Sequence, residues 1–227
     1  MRVKVHFSPP AAGIGSGACA VVIDVLRATS TLMVALAHGA TRIIPVATPE
    51  EALALRARTP DALLCGEREG LRIAGFDLGN SPDEYGPAVV VGRPLIFAST
   101  NGSIALLAAA RARRRILAAF VNLQAAADRL TGAVEVAIVA AGKLGRFAIE
   151  DAACAGLLCR RLRERGARLD GAAAALAGAI APGDASEVRA LVQGCAHGRY
   201  LRSMGPQFAR DVELCAGLDT MDQAFEV

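Results

Sequence analysis

Lysine is almost absent from this 227-residue sequence: Lys4 and Lys143 are the only two, and arginine supplies the remaining positive charge. The net charge is only +3, and the densest basic runs, Arg111–Arg115 and Arg160–Arg165, have few aromatic residues nearby. A nucleic-acid-binding surface normally combines clustered cations with a strongly basic domain. We therefore interpret both runs as solvated helix faces, in preference to a nucleic-acid footprint, and expect no nucleic-acid partner.

Long apolar runs are also missing. The most apolar stretch, Ala172–Ala181, is mostly alanine and is shorter than the roughly 20 residues that a membrane-spanning helix needs. The first residues, MRVKVHFSPP, are charged and lack the apolar segment of a signal peptide. We expect a cytoplasmic protein that makes no contact with a membrane.

The six cysteines, at positions 19, 65, 154, 159, 195 and 215, form no Cys-x-x-Cys pair. They also show no Cys/His spacing typical of a metal site. This pattern favours reduced, mostly buried thiols in the cytosol over a disulfide framework.

Apolar strand candidates alternate with helical patterns over most of the chain. Hydrophobic residues make up 53% of the sequence and charged residues 21%, which suits a folded core. The candidate strands are Val3–Phe7, Ala18–Asp24, Arg42–Val46, Ala62–Cys65, Leu95–Ser99, Ile116–Phe120 and Val134–Ala140. Residues from about 147 onward favour helices, at Phe147–Arg165, Gly171–Ile180 and Ala185–His197. We predict one α/β domain over residues 1–227, with a largely parallel sheet, helices on both faces (three layers, α/β/α) and a helical C-terminal part.

Polar residues follow the predicted strands at the point where each strand ends. Asp24, Glu67, Ser99–Gly102, Asn122 and Gly142-Lys143 all occupy such positions. Open α/β sheets bind ligands outside the carboxyl ends of their strands. The repeated coincidence predicts an active site at that edge.

The segment Asp24–Thr31 places a carboxylate, a guanidinium and three hydroxyls at one strand-to-helix junction. Asp24 would suit Mg²⁺, which prefers oxygen ligands, and Arg27 could clamp a phosphate with two hydrogen bonds. Thr29, Ser30 and Thr31 could open the next helix, where free N–H groups favour an anion. The alternative, equally weighted, is that Asp24 and Thr29 cap the turn and Arg27 pairs with Asp24.

Three further segments have the same ambiguity. Ser99–Ser103 is either a ligand-binding turn, in which Gly102 allows close backbone approach, or an ordinary helix start. Gly66–Gly70 offers Glu67 and Arg68 but is also consistent with a solvated loop. Gly142–Asp151 carries Lys143, Arg146, Glu150 and Asp151, and the helix dipole alone could explain its two adjacent acids.

Several standard catalytic motifs are absent. No Asp-x-Asp starts at Asp24, and neither a phosphate-binding Gly-x4-Gly-Lys-Ser/Thr loop nor Gly-x-Ser-x-Gly occurs. The two Cys-x5-Arg matches lie in helix-like sequence, and Gly13–Gly17 precedes a strand instead of following one. His6, His38 and His197 have no metal-ligand spacing, and His38 is expected to be structural.

Four segments together resemble the 2-phosphosulfolactate phosphatase (ComB) family over roughly residues 1–220. They are IDVLRATST (Ile23–Thr31), GERxGLRIxGFDLGNSPxEY (Gly66–Tyr85), STNG (Ser99–Gly102) and FAIEDAACAG (Phe147–Gly156). The resemblance implies a soluble α/β fold and magnesium-dependent hydrolysis of 2-phosphosulfolactate to sulfolactate and phosphate, a step toward coenzyme M. The site residues that it carries over are Asp24, Arg27, Glu67, Arg68, Asn101, Glu150 and Asp151.

With the residue chemistry added, we expect three overlapping sets of site residues and a small anionic phospho-acid as substrate. The catalytic set is Asp24, Arg27, Glu67 and Arg68, and the metal set is Asp24, Glu67, Glu150 and Asp151, holding Mg²⁺. The substrate-binding set is Thr29, Ser30, Thr31, Thr100, Asn101, Gly102, Lys143 and Arg146, with Arg199 as a further candidate for the sulfonate. A phosphatase for another 2-phospho-acid, a non-catalytic phospho-metabolite-binding protein and a homo-oligomer remain open.

Overall fold

The computed structural model describes residues 1–227, and its strands divide between two sheets. The strands are β1 (Arg2–His6), β2 (Cys19–Ile23), β3 (Arg42–Pro45), β4 (Leu63–Arg68), β5 (Leu71–Arg72), β6 (Pro94–Ala98), β7 (Arg114–Ala118), β8 (Glu135–Ala140), β9 (Arg168–Asp170) and β10 (Phe225–Glu226). The helices are α1 (Ala28–Ala37), α2 (Pro49–Arg56), α3 (Pro87–Val90), α4 (Gly102–Ala108), α5 (Leu123–Arg129), α6 (Ile149–Glu164), α7 (Ala172–Ala179), α8 (Ala185–Gly194), α9 (Ala196–Ser203) and α10 (Pro206–Cys215). Short 3₁₀ turns lie at Pro82–Glu84 and Phe120–Asn122.

The first sheet has the order β10-β7-β2-β8-β1-β9, and every neighbouring pair except β10–β7 is parallel. Its central strand β2 is buried along its whole length. Val21 and Ile23 face one hydrophobic core, and Ala20 and Val22 face another. A strand covered on both faces reads as a continuous apolar run, which is why CAVVI lacks polar alternation.

The second sheet has the order β3-β6-β4-β5 and comes from one contiguous stretch of the chain, residues 42–98. Strands β3, β6 and β4 are parallel, and the two-residue strand β5 returns antiparallel to β4. Gly66 in β4 has φ +147°, and a Cβ there would lie 1.8 Å from the Ala98 carbonyl oxygen of β6. Only glycine therefore allows the two strand ends to approach each other beside Glu67.

Three cores fill the spaces between the layers. The largest lies on the outer face of the first sheet, beneath α5, α6, α7, α8 and α10. The second lies between the two sheets and contains α1 and α4. A small third core packs α2 on the outer face of the second sheet. Helices thus cover both faces of each parallel layer.

The structure confirms an α/β fold with mostly parallel strands and a helical C-terminal region, but it separates strands that we expected in one sheet. Alternating strands and helices indicate parallel pairing without specifying which strands are neighbours. The helix expected over Ala185–His197 also differs, because α8 ends at Gly194 and the extended Cys195 separates it from α9. No helix of the protein is long and apolar enough to cross a membrane.

All six cysteines are free and buried, as expected. Burial raises the pKa of the Cys65, Cys159, Cys195 and Cys215 thiols to about 12. A thiol reacts as its thiolate, so these side chains are chemically inert near neutral pH. His38 is likewise structural: its Nδ1 lies 2.8 Å from the Tyr85 carbonyl oxygen.

Candidate active site

A cavity of about 420 Å³ lies where the carboxyl ends of strands from both sheets meet. Asp24 and Lys143 follow β2 and β8 of the first sheet, whereas Glu67 and Thr100 lie at the ends of β4 and β6 of the second. Helix α9 closes one side with His197 and Tyr200. The volume suits a small organic ligand, and the position follows the strand-end rule for α/β sheets.

Asp24 is the buried acid at the centre of this arrangement. Its Oδ1 accepts a hydrogen bond from the Ala28 N–H at the start of α1, at 3.2 Å, and its Oδ2 has no protein donor. Burial raises the pKa of Asp24 from 3.8 to about 7, and the nearby charges of Glu67 and Glu150 act in the same direction. A bound cation would relieve this repulsion.

Two acids in the first turn of α6 lie behind the cavity wall. Asp151 accepts hydrogen bonds from the Val25 N–H at 2.8 Å and the Gly142 N–H at 3.0 Å, so it ties together the loops that follow β2 and β8. Burial, reinforced by the charges of Asp24 and Glu150, raises the pKa of Asp151 well above its usual value. Both Asp151 oxygens already serve the backbone, which suits a structural role in holding the two loops.

Glu150 faces the C-terminal helices. Its Oε1 lies 3.5 Å from Nδ1 of His197, which lines the cavity. Burial acts to raise the pKa of Glu150, but the hydrogen bond and charge of His197 outweigh it, and the net pKa is lowered. The contact between His197 and Glu150 thereby connects helix α9 to the start of helix α6.

Glu67 joins the ends of two strands in the second sheet. Its Oε1 accepts from the Thr100 N–H at 2.8 Å, and its Oε2 accepts from the Gly70 N–H at 2.9 Å. Each carboxylate oxygen retains a second lone pair, and the side chain lines the cavity beside Asp24. Glu67 therefore connects the two loops and is also a candidate metal ligand.

Arg27 has a partner that the sequence analysis did not identify. Its guanidinium donates to Asp211 of α10 at 2.5 Å and to the Gly70 carbonyl at 2.7 Å, and it lies 5.2 Å from the Phe208 ring centroid. Asp211 also accepts from the Ser81 hydroxyl at 2.6 Å. Burial raises the pKa of Asp211 despite these two hydrogen bonds. Arg27 lines the cavity, but its charge is balanced by Asp211 and not by Asp24.

A local signal for Asp211 was present in the sequence. Residues 208, 211, 212 and 215 are buried on one face of α10. An aspartate inside an otherwise apolar stripe at helical spacing needs a partner when the stripe is buried. The sequence could show the need, but only the fold shows that Arg27, 184 residues away, meets it.

The three hydroxyls expected to bind phosphate all bond the backbone instead. Thr29 donates toward the carbonyls of Asp24 and Ala118, Ser30 donates to Val25, and Thr31 donates to Asn80. All three residues are fully buried, and none lines the cavity. Gly102 also lies outside the cavity. A Cβ at this position would be 2.3 Å from the Cβ of Ala28, so glycine is needed here for the close packing of α4 on α1.

The candidate cations differ in what already surrounds them. Arg68 lines the cavity but donates to the carbonyls of Glu67 and Ala47. Lys143 lines the cavity with no carboxylate within 4 Å, and its ammonium lies 5.0 Å from the Tyr200 ring centroid. Arg146 is exposed and does not line the cavity, although its backbone pairs with Lys143. Arg199 donates to the Gly194 carbonyl and also lies outside the cavity.

Two polar side chains of the cavity wall have unused hydrogen-bonding capacity. Asn80 Oδ1 and Thr100 Oγ1 are the only buried side-chain nitrogen or oxygen atoms of the protein without a hydrogen-bond partner. Both belong to the 14 residues that line this cavity. Thr100 was an expected ligand contact, whereas Asn80 was not among the expected site residues, although it lies in the family segment Gly66–Tyr85. The next residue along the loop, Asn101, uses its Oδ1 to accept from the Leu144 N–H at 2.7 Å.

The cavity brings together only part of the expected site. Seven of the expected residues line it: Asp24, Arg27, Glu67, Arg68, Thr100, Asn101 and Lys143. Eight do not: Thr29, Ser30, Thr31, Gly102, Arg146, Glu150, Asp151 and Arg199. The other seven lining residues were not expected: Leu26, Glu69, Gly70, Asn80, Leu144, His197 and Tyr200.

No group of three or more His, Cys, Asp or Glu side chains in the protein has the geometry of a complete metal site. A complete set of protein ligands is not required for Mg²⁺. This ion is usually held by one or two carboxylates together with water and substrate phosphate oxygens. Asp24 and Glu67 supply two carboxylates facing one cavity. The donor set therefore fits a magnesium ion that the substrate helps to hold.

An α/β fold that gathers opposite charges in a small cavity at its strand ends has the arrangement of a metabolic enzyme. Comparison with known proteins identifies the kind. A family model described as 2-phosphosulpholactate phosphatase matches residues 9–227, so the chain belongs to that family.

Three relatives, each named "Probable 2-phosphosulfolactate phosphatase", are similar to this chain over most of its length. The protein of Thermotoga petrophila is 40% identical over 200 residues, which are 88% of this chain and 85% of its own. That of Deinococcus radiodurans is 42% identical over 206 residues, with 88% and 84% covered. That of Carboxydothermus hydrogenoformans is 38% identical over 223 residues, with 98% and 91% covered.

Proposed function

We propose that this protein is a magnesium-dependent phosphatase that hydrolyses 2-phosphosulfolactate to sulfolactate and phosphate. The observation that carries the proposal is the family match over residues 9–227, which includes every residue of the cavity described above. The names of the three relatives support the same substrate. The chemistry of the cavity supports both the metal and the anionic ligand.

Asp24 and Glu67 would hold the magnesium ion, together with phosphate oxygens of the substrate. When bound, the ion supplies positive charge that neutralises the phosphate oxygens. Asp24 is suited to this because its Oδ2 is free and because burial raises its pKa, so that its ionised form gains more from a cation than an exposed aspartate would. Asp151 would keep Asp24 in place by fixing the backbone of Val25.

The substrate carries a phosphate, a carboxylate and a sulfonate, so one divalent cation leaves negative charge to be balanced. Arg27 is already neutralised by Asp211, and Arg68 donates to two backbone carbonyls. Lys143 is the cavity cation without an acidic partner or a carbonyl acceptor, and the Tyr200 ring holds its ammonium at the cavity wall. We assign to Lys143 the sulfonate or carboxylate of the substrate.

The test is phosphate release from 2-phosphosulfolactate and from 2-phospholactate, which lacks the sulfonate, with Mg²⁺ or with EDTA. We expect turnover of the first substrate that EDTA abolishes and Mg²⁺ restores. If Lys143 binds the sulfonate, Lys143→Ala should narrow the preference between the substrates by about 1.5–3 kcal/mol, the range for a hydrogen bond to a charged group. Arg146→Ala is the matched control, because Arg146 shares the loop but lies outside the cavity.

Three outcomes would contradict parts of this proposal. Phosphate release that persists after thorough chelation would show that the reaction does not require magnesium. A stronger preference for another 2-phospho-acid would change the substrate, and binding without turnover would indicate a phospho-metabolite-binding protein. Equal discrimination in the wild type and in Lys143→Ala would place the sulfonate elsewhere.

A further inference from the structure

We propose that His197 is a catalytic residue of the phosphatase reaction: its Nε2–H gives a proton to the oxygen that leaves phosphorus, and Glu150 is the positioning residue behind it. This inference rests on the proposed function, because it names the proton donor of the same site. It is carried by one juxtaposition, an imidazole that lies between a buried carboxylate and the cavity.

The first half of the juxtaposition is the contact with the carboxylate. His197 Nδ1 lies 3.5 Å from Oε1 of Glu150, which is only 4% exposed and does not line the cavity. No other cationic side chain of the protein lies within 4 Å of this carboxylate. Although burial acts to raise it, the net pKa of Glu150 is lowered, so the group is ionised near neutral pH. A buried negative charge at this distance favours a proton on Nδ1 and the positive form of the ring.

The second half is the access of the other ring nitrogen to the cavity. His197 lines the cavity, its side chain is 16% exposed, and Nε2 makes no hydrogen bond within the protein. The only buried side-chain atoms without a partner are those of Asn80 and Thr100, so the unpartnered Nε2 is accessible. Because Nδ1 faces Glu150, Nε2 is the nitrogen that remains for a ligand.

The start of α9 fixes the position of this imidazole. Cys195 is extended and separates α8 from α9, and its sulfur accepts from the Gly198 N–H at 3.2 Å. A Cβ on Gly198 would lie 1.9 Å from the Val192 carbonyl oxygen, so glycine is needed for α9 to begin this close to the end of α8. His197 lies between these two anchored residues. A proton donor must be held within hydrogen-bond reach of the reacting atom, and this turn supplies such a fixed donor.

The other polar groups of the cavity are less suited to the task. Its two arginines do not release protons, and its two proposed metal ligands act as ionised carboxylates. The Tyr200 hydroxyl already donates to the Glu69 carbonyl at 3.0 Å, and Lys143 is assigned to the carboxylate or sulfonate. Imidazole is the side chain that most readily takes up and releases a proton near neutral pH.

The chemistry of the substrate requires a proton at this point. Hydrolysis forms a bond between phosphorus and a water oxygen and breaks the bond between phosphorus and the C2 oxygen of the organic acid. That oxygen would leave as a strongly basic alkoxide, and the Nε2 proton converts it into the alcohol of sulfolactate. The proton released by the water passes to the phosphate product or to solvent, from which Nε2 is protonated again. General acid catalysis of this kind contributes about 10²–10⁴-fold to a rate.

Two substitutions of His197 separate proton transfer from binding and from folding. His197→Asn keeps an N–H donor near the position of Nδ1, facing Glu150, but removes Nε2. We expect a Tm close to that of the wild type and a fall in kcat of about 100-fold or more. His197→Gln places an N–H near the position of Nε2 that can donate a hydrogen bond but cannot release its proton, so kcat should fall while KM stays within about threefold. Arg202→Gln is the matched control, because Arg202 is an exposed cation of the same helix that does not line the cavity, and its kcat should be unchanged.

A change of leaving group gives the decisive readout. 2-Phospholactate and phosphoenolpyruvate share the phosphate and the carboxylate, but the first releases an alkoxide and the second a less basic enolate. The loss of kcat in His197→Asn should therefore be at least tenfold smaller for phosphoenolpyruvate than for 2-phospholactate. Equal losses with both substrates, in an enzyme whose wild type hydrolyses 2-phosphosulfolactate, would overturn the inference and leave the proposed function standing.

A third readout does not depend on turnover. The protein has only three histidines, so the ¹⁵N resonances of their ring nitrogens can be assigned by comparison with His197→Asn. Inorganic phosphate with Mg²⁺ should shift the Nε2 resonance of His197, and the absence of any shift would overturn the inference. A wild type that hydrolyses 2-phospholactate but not 2-phosphosulfolactate would change the proposed substrate, while the comparison of leaving groups would still decide the role of His197. A wild type that hydrolyses none of these compounds would overturn both proposals, and a persisting shift would then assign His197 to ligand binding alone.

Discussion

Two turns of this protein resemble each other in sequence but differ in what their side chains leave unpaired. Asp24–Thr31 and Ser99–Ser103 each join a parallel strand to a helix, and each is rich in hydroxyl groups. In the first turn every hydroxyl bonds the backbone and is buried away from the cavity. In the second, Ser99 and Ser103 bond each other, while the Thr100 hydroxyl lies unpartnered in the cavity wall.

The difference shows that the number of hydroxyls in a turn does not identify a ligand contact. We expect a ligand contact instead where hydrogen-bonding capacity is left over after the fold has formed. The first turn contributes Asp24 and Arg27 to the cavity and uses its hydroxyls to hold them there. The second contributes a free hydroxyl. The predictions below test the hypothesis that the first turn supports the site and the second contacts the ligand.

The largest effect should come from releasing the first turn from α10. Asp211→Ala leaves the Arg27 charge buried without its partner, which should cost about 3–5 kcal/mol in the free energy of unfolding measured in urea. Asp83→Ala is the control, because Asp83 forms an exposed pair with Arg210 at 3.5 Å and should cost less than about 1 kcal/mol. Equal, small losses in both variants would mean that the buried pair does not hold the turn.

The second prediction concerns the acid that the first turn presents. Asp24→Asn keeps the shape but removes the charge, so kcat/KM should fall by about 30-fold or more, equivalent to about 2 kcal/mol. Near-normal kcat/KM would show that Asp24 is only a cap on α1.

The same variant has a pH signature in protein freed of metal. Burial raises the pKa of Asp24 from 3.8 to about 7, so the folded state holds a proton that the unfolded chain releases in this range. The stability that the protonated group contributes is therefore present below about pH 4 and is lost as the pH rises through about 7. Asp24→Asn lacks that loss, so its Tm should exceed that of the wild type at pH 8 by more than at pH 4. A constant difference across this range would contradict the shifted pKa.

The third prediction compares one threonine from each turn. Thr29→Val removes a hydroxyl that bonds three backbone groups and should destabilise the protein by about 1–3 kcal/mol. Thr100→Val removes a hydroxyl without a partner, so the free energy of unfolding should stay the same or rise while kcat/KM falls. Urea titrations and steady-state kinetics measure the two quantities. If Thr100→Val lost stability and Thr29→Val lost only activity, the roles assigned to the two turns would be wrong.

The smallest expected effect is stabilisation by the metal alone. Free Mg²⁺ at ten times its Kd should raise the free energy of unfolding by about 1.4 kcal/mol. The gain should disappear in Asp24→Asn and in Glu67→Gln but survive in Thr100→Val, because only the first two residues offer carboxylates. Thermal denaturation with Mg²⁺ or EDTA measures this stabilisation. A gain that persists in Asp24→Asn would show that the ion binds at another site.

The sequence determined the class of fold and indicated where the candidate site lies. Continuous apolar runs such as that of β2 identify buried parallel strands, and polar residues directly after them must lie at one edge of a sheet. This local information correctly located Asp24, Glu67, Thr100 and Lys143 at strand ends that share a cavity. The family motifs also lie in these segments, and the comparisons confirm the family.

Only the tertiary structure decided how the strands divide between two sheets and which side chains remain free to bind a ligand. Arg27 meets Asp211 across 184 residues, and helix α9 brings His197 and Tyr200 to the cavity from a region without a recognisable motif. Thr29 and Thr100 have the same side chain in similar turns, yet one hydroxyl is used by the backbone and the other is left over. Hydrogen-bond partners and burial are set by distant parts of the chain, so no local pattern could separate the two.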